Sequence, residues 1–290
     1  MKIMLIANPV AGGDARANIG RAVAFLEGRG AAVELVLTEA RGDARRAAAA
    51  ARDAGFDRIV AAGGDGTLNE VINGLVPSTI PLAFIPFGTT NVFALEVDIP
   101  FDLEKACELA LEGAPCPVSV GLAGDTRFLL MAGVGFDAEV VAAVSLWLKR
   151  RTGKLAYVVS GLRTLLRRPR GSFEVEADNG VRCKAYGALI GNGRLYGGRF
   201  SITDQASLRE DALDVRLFLR PGRLRLLANV ARMLLGRPPG EDQVKRFKTR
   251  QLSLSGDDIP VQIDGDCHGH LPQTFRAVFG ELTLVFPGKG

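Results

Sequence analysis

The sequence predicts an α/β chain in which an N-terminal, doubly wound parallel-sheet domain is followed by a C-terminal antiparallel β-sandwich. Three observations carry this. Up to about residue 96, compact apolar runs alternate with amphipathic helical patterns, the mark of strands wound by crossover helices. The apolar runs end in short polar loops rich in glycine. After Glu112-Gly113-Ala114-Pro115 the texture changes to short apolar runs separated by turn signals, as in a sandwich. A chain of 290 residues, 47% of them hydrophobic, can fill two cores. The boundary is expected near residue 118, giving domains 1–118 and 119–290, with the last strand free to return to the first domain.

The first strand is expected at residues 2–7, ending in Asn8-Pro9-Val10-Ala11-Gly12-Gly13. Asp14 can cap the following helix, whose Ile19, Val23 and Leu26 share one face. Residues 33–37 form the second strand, ending at Thr38, and 43–54 an alanine-rich helix. The third strand, 58–62, runs into Gly63-Gly64-Asp65-Gly66-Thr67-Leu68-Asn69-Glu70. Leu68, Val71, Ile72 and Leu75 then mark a helix face, with Thr67 and Glu70 at capping-box spacing. A fourth strand at 81–86 exits through Phe87-Gly88-Thr89-Thr90-Asn91 into another helix.

Strand, glycine turn and helix start together present free backbone N–H groups and a positive dipole end to a phosphate. Gly64-Asp65-Gly66 is not a P-loop, because no G-K-[S/T] follows. It also lacks the third glycine of the dinucleotide fingerprint. In a parallel sheet the four exit loops share one edge, where α/β sheets bind ligands. That convergence points to a nucleotide.

In the second half, strands are expected at 118–120, 128–131, 173–176, 183–190, 213–218, 252–254, 261–263, 275–279 and 282–286. A long helical stretch is expected over about 138–167 and a second helix over 224–235. Asn192-Gly193-Arg194-Leu195-Tyr196-Gly197-Gly198 reads as a hairpin.

Composition excludes several classes. The four cysteines form no C-x-x-C pair and read as free thiols of a reducing compartment. The first residues reach Asn8-Pro9 too soon for a signal peptide, and no apolar run approaches about 18 residues. A cytoplasmic location is expected. Net charge is only +4, but it is clustered, at Lys149, Arg150, Arg151, Lys154, Arg163, Arg167, Arg168 and Arg170 and again from Arg220 to Arg237. With Trp147 and Leu148 beside the first cluster, an anionic membrane surface is the expected partner, contacted peripherally, and nucleic acid is not. A homodimer is compatible with the sequence. Acids fall in four loops: Asp65, Glu210-Asp211, Asp257-Asp258 and Asp264-Gly265-Asp266. Phosphoryl transfer needs metal ligands and often a carboxylate to take the acceptor proton. Asp65, beside the phosphate loop, is placed to organise metal. His268 and His270 find no third ligand and read as surface residues.

The residue runs 63–71, 86–91, 133–138 (Gly133-Val134-Gly135-Phe136-Asp137-Ala138), 192–198 and 261–265 (Val261-Gln262-Ile263-Asp264-Gly265) resemble, in order, those of the bacterial diacylglycerol kinase-type lipid kinases. These are related to sphingosine kinases and, more distantly, to NAD kinases. The resemblance covers nearly the whole chain, and its later motifs separate lipid kinases from NAD kinases. It implies ATP and Mg²⁺, a γ-phosphoryl transfer to a hydroxyl of a diacylglycerol-like lipid, and a lipid site in the sandwich. By resemblance ATP is held by Asn8, Pro9, Val10, Ala11 and Gly12, by Thr38, by Gly64, Asp65, Gly66, Thr67, Leu68, Asn69 and Glu70, and by Thr89. A structural Mg²⁺ is implied at Asp211 with the carbonyls of Leu208 and Leu213. The proton acceptor is implied at Asp266, where the family carries glutamate. Three further departures are Ala212 for glycine, Val92 for aspartate and Ser119 for an aspartate near the domain junction. An NAD kinase, or a regulator that binds nucleotide or lipid with weakened catalysis, are the alternatives.

The basic segment generates a prediction. Binding to vesicles should rise with anionic lipid content and fall as salt screens it. Sedimentation that ignores both variables would remove the membrane assignment.

Overall fold

A computed structural model describes residues 1–135, 171–222 and 244–287. The expected helices at 138–167 and 224–235, and all of both basic clusters except Arg220, lie outside these residues.

The first domain runs β1 (Lys2–Ala7), α1 (Ala15–Gly28), β2 (Ala32–Leu37), α2 (Asp43–Ala51), β3 (Arg58–Gly63), α3 (Asp65–Leu75), β4 (Leu82–Pro86), α4 (Val92–Glu96) and α5 (Leu103–Glu112). All four strands pair in parallel in the order β2-β1-β3-β4. Every residue of β3 and β4 is buried, as expected of strands covered on both faces, whereas β2 lies at the edge and is largely exposed. Helix α1 buries Ala15, Ile19, Ala22 and Leu26 on one stripe. It packs with α5 against one sheet face, and α2 and α3 cover the other. Helix α5 is capped by Asp102, whose carboxylate accepts the Lys105 N–H at 3.0 Å.

The second half continues as β5 (Pro115–Ala123), β6 (Thr126–Phe128), β7 (Met131–Gly135), β8 (Phe173–Ala177), β9 (Arg182–Ala185), β10 (Gly187–Gly191), β11 (Leu195–Tyr196), β12 (Phe200–Ser201), β13 (Leu213–Phe218), β14 (Val244–Thr249), β15 (Gln251–Ser255), β16 (Pro260–Ile263), β17 (Asp266–His270) and β18 (Gln273–Val285). One sandwich layer is the antiparallel sheet β14-β13-β10-β7-β16-β17. The other is not separate from the first domain. Strand β18 pairs in parallel with β4 at Leu284 and Leu82, runs antiparallel to β5 along most of its length, and pairs with β15, which leads to β8 and β9. Phe128, Ala132, Val134, Phe173, Val215, Leu254 and Phe275 fill the space between the layers.

The fold class is as the sequence predicts, but several boundaries are corrected. Helix α3 starts at Asp65 with Gly64 as its cap residue, so Thr67 and Glu70 do not form a capping box. Glu70 instead accepts the Gly42 N–H. Asp14 occupies the cap position of α1 without a side-chain hydrogen bond. The expected strand at 128–131 is the junction between β6 and β7. The expected strand at 183–190 breaks at Tyr186, because β9 pairs with β8 in one layer and β10 crosses to the other. The runs 275–279 and 282–286 belong to one strand; Gly280, at φ +84°, sits in a bulge rather than a turn.

Helices α2 and α3 touch through Gly74, where an added Cβ would stand 2.1 Å from the Arg45 carbonyl oxygen. Gly74→Ala must therefore push two helices apart. It should destabilise the fold by about 1–3 kcal/mol, against the usual gain in helix propensity. A thermal melt in which the variant matches or exceeds wild type would contradict this close approach.

Candidate active site

The strand-exit loops are bonded to one another. The Asn8 N–H donates to Ala62 O at 2.9 Å and the Thr38 N–H to Ala7 O at 2.9 Å. Phe87 and Gly88 both donate to Gly63 O, at 2.7 and 3.1 Å. The Asn8 side chain accepts the Val10 N–H at 3.0 Å, turning the loop through Pro9, and its amide donates to Thr67 Oγ1 at 3.3 Å. Glycine is required where these loops meet. A Cβ on Gly12 would stand 2.5 Å from Phe87 O, and one on Gly88 would stand 2.8 Å from the Gly64 Cα. Val10, Gly66 and Thr89 are exposed on this edge, while Thr38, Thr67 and Leu68 are buried beneath it. The first turn of α3 opens here with the positive end of its dipole, and Thr67 and Leu68 donate back to Gly64 O at 3.0 and 3.2 Å. The result is a backbone-lined cradle suited to an anion.

Asp65 is engaged with main chain. Its two carboxylate oxygens accept the N–H groups of Val92 and Phe93, at 2.9 and 3.0 Å. It therefore holds the start of α4 against the start of α3. Burial pushes its carboxyl up, and the Phe93 and Val92 N–H groups pull it back.

A second anchored turn faces the cradle. Strands β16 and β17 are joined by Asp264 and Gly265, both at positive φ (+46° and +85°), with Ile263 paired to Asp266. This is the two-residue hairpin that an Asp-Gly pair favours. Asp264 Oδ2 accepts from Asn69 Nδ2 at 3.0 Å and the Leu129 N–H at 2.9 Å. Its Oδ1 accepts the N–H groups of Leu130 and Met131, at 3.0 and 2.9 Å. Burial raises this carboxyl, and the three backbone N–H groups and Asn69 oppose the shift. Asp266 follows the turn, exposed, with its Oδ2 3.2 Å from Arg41 Nη2 on the loop after β2. The structure thus brings Asp266 to the sheet edge that carries the exit loops.

The run 192–198 docks at the same junction. The amide nitrogen of the fully buried Asn192 donates to Ser119 O at 3.0 Å and Leu129 O at 2.8 Å. Glu96, at the end of α4, is buried and accepts from Arg194 Nε at 2.9 Å and the Leu195 N–H at 2.8 Å. Sequence reasoning missed Glu96 and the anchoring role of Asp264. Asp264 had a signal in its Asp-Gly pair; Glu96 had none.

Asp211 lies elsewhere. With Glu210, Asp178, Asn179, Lys248 and Arg250 it lines a cavity of about 560 Å³ that no exit-loop residue borders. Its carboxylate is 3.2 Å from Arg250 Nε, and Leu208 O already accepts the Ser119 N–H at 2.7 Å. Leu213 opens β13 opposite Thr249. Asp211 and Leu208 O thus each have one protein partner, and a carbonyl oxygen with one N–H partner keeps a second lone pair. Among the described residues no three His, Cys, Asp or Glu side chains gather to hold a metal.

Comparison with known proteins places the chain among kinases of one family. Residues 2–123 match the diacylglycerol kinase catalytic domain, and residues 131–286 match the YegS C-terminal NAD kinase beta sandwich-like domain. A diacylglycerol kinase of Bacillus subtilis (strain 168) is 30% identical over 290 residues, covering 98% of this chain and 95% of that protein. A protein of Pseudomonas putida (strain KT2440), named "Probable lipid kinase YegS-like", is 35% identical over 275 residues, covering 93% and 90% of the two chains. A crystal structure of a diacylglycerol kinase from Bacillus anthracis str. Sterne superposes with a TM-score of 0.80 at 26% identity, covering 99% of this chain and 97% of that one.

The two aspartates of the turn should separate in a mutational test. Asp264→Ala leaves four N–H donors without their acceptor and should cost about 3 kcal/mol of stability. Asp266→Ala removes an exposed ion pair and should cost about 1 kcal/mol or less. Urea unfolding of both variants checks this, and equal losses would refute the division.

Proposed function

The chain belongs to the diacylglycerol kinase and YegS-like lipid kinase family, and from that membership we propose that it transfers the γ-phosphoryl group of ATP to a hydroxyl of a diacylglycerol-like lipid. The observation that carries this reading is the placement of Asp266. An anchored turn holds its carboxylate against a loop of the sheet edge whose neighbours form the anion cradle.

In this reading residues 8–12 and 64–70, with Thr38 and Thr89, receive the nucleotide. The opening N–H groups and dipole of α3 face its phosphates. The glycine contacts at 12 and 88 support the assignment, since a side chain at either would push apart the loops that form the cradle. Asp65 acts as a positioning residue, holding α3 and α4 together beneath the phosphates. The lipid hydroxyl oxygen attacks the γ-phosphorus as the bond to the β–γ bridging oxygen breaks. The hydroxyl proton passes to Asp266, and ADP departs with the bridging oxygen. Mg²⁺ bound with the nucleotide neutralises charge on the β and γ oxygens in such transfers. No step is assigned to the Asp211 region. Contact with the membrane is peripheral, through the basic segment, and no helix among the described residues is long and apolar enough to cross a bilayer.

The test is a panel of diacylglycerols, monoacylglycerols, sphingosine and NAD incubated with labelled ATP and Mg²⁺. A lipid should gain phosphate, and NAD should not. Asp266→Asn should then lower kcat by about 10²–10⁴-fold with ATP binding retained. Label appearing only in NAD would overturn the substrate class, and an unchanged kcat would overturn the base.

A further inference from the structure

Arg41 and Asp266 meet from loops that are both fixed. The loop carrying Arg41 is short and heavily bonded. The Asp43 carboxylate accepts the N–H groups of Glu39 and Ala40, at 2.8 and 2.7 Å, and is also paired with Arg46. Those two N–H groups hold the Asp43 carboxyl below its ordinary range. The Asp43 N–H donates back to Ala40 O at 3.3 Å. Gly42 takes φ +91°, and its N–H donates to Glu70 Oε2 at 2.9 Å, tying the loop to α3. Asp266 for its part stands one residue beyond the positive-φ turn that Asp264 anchors.

Energetics argue against a stabilising purpose. The two side chains are 78% and 57% exposed, and such an ion pair contributes about 0–1 kcal/mol. A pair with so little effect on stability, built from two rigid loops across the catalytic cleft, has its value in geometry. The geometry also suits the residue present. An aspartate side chain is short, so the direction of its carboxylate depends on the group it pairs with. Arg41 binds Oδ2 alone, which leaves Oδ1 unengaged by the guanidinium and able to face an acceptor hydroxyl.

We propose that Arg41 is a positioning residue for Asp266, orienting its carboxylate toward the phosphate cradle. This inference rests on the lipid kinase reading above and adds a residue to it. Arg41 acts through Asp266 and does not bind the nucleotide phosphates.

A double-mutant cycle on the full-length protein tests this. It uses ATP with dioctanoylglycerol in mixed micelles, together with any other lipid that gains phosphate in the panel. Arg41→Gln should lower kcat by about 10-fold or more while leaving KM for ATP within about twofold. Arg41→Lys should recover part of the loss. Arg41→Gln/Asp266→Asn should be no slower than Asp266→Asn alone, because the arginine then has no carboxylate to orient. Melting temperatures should stay within about 1 °C of wild type, which separates positioning from folding. If Asp266→Asn is slow but Arg41→Gln is kinetically silent, the inference fails and the base assignment stands. Multiplying losses, or a raised KM for ATP, would move Arg41 onto the phosphates and also overturn it. A wild type that phosphorylates no lipid removes the kinase reading and this inference with it.

Discussion

The capture of the Asp264 carboxylate by four N–H donors holds the two halves of the cleft in register. One donor, Asn69, belongs to helix α3, which opens at the strand-exit loops. The other three, Leu129, Leu130 and Met131, lead into the sandwich. Hydrogen bonds to an ionised acceptor are roughly twice as strong as neutral ones, and four of them converge on one side chain. Helix α3 is thereby the hub of the molecule. Thr67 meets Asn8, Asn69 meets Asp264, Glu70 meets Gly42, and Asn73 grips the backbone of Arg127 on both its N–H and its carbonyl.

The apolar stripe of the same helix explains why these polar contacts are reliable. Leu68, Val71, Ile72 and Leu75 are essentially without solvent contact and pack with the core of the parallel sheet. Rotation about the helix axis is blocked by that packing, so Asn69, Glu70 and Asn73 keep fixed directions. A second clamp, Glu96 with Arg194 and Leu195, ties α4 to the run 192–198. The cleft is therefore held by at least two charged contacts, each with one largely buried carboxylate.

The parallel half was the most legible part of the chain. Its strands are continuous apolar runs closed by glycine loops, and periodicity alone locates β1, β3 and β4 to within a residue or two. The sandwich was harder, because its strands are short and its breaks depend on which layer a strand joins. Tyr186 looks like strand interior and is a crossing point; Gly280 looks like a turn and is a bulge. Strand β14 (Val244–Thr249) was not foreseen, since Lys245, Arg246 and Lys248 dilute its alternation. At the site, glycine spacing located the strand-exit loops, and only the resemblance singled out Asp266. The work of Asp65, Asp264 and Glu96 was not readable, because it depends on backbone N–H groups that are distant in sequence. The Asp-Gly pair marks the turn at Asp264 but not which N–H groups its carboxylate accepts. For Asp211 only the resemblance supplied a ligand set, and the contact of its carboxylate with Arg250 had no sequence signal.

The path of β18 has a consequence for how the protein is made. Its last residues lie between β4 and the first half of β5, with Leu282 and Leu284 buried in the core of the first domain. Until residues 282–285 have left the ribosome, β4 has an open edge and that core lacks two of its leucines. The first domain cannot mature while the rest is still being synthesised, although it is translated first. Nascent and prematurely terminated chains would expose an unpaired, apolar strand edge, the surface that chaperones and proteases recognise. Anchoring β18 in the first domain thus makes synthesis as far as residue 285 a condition for completing that domain's core.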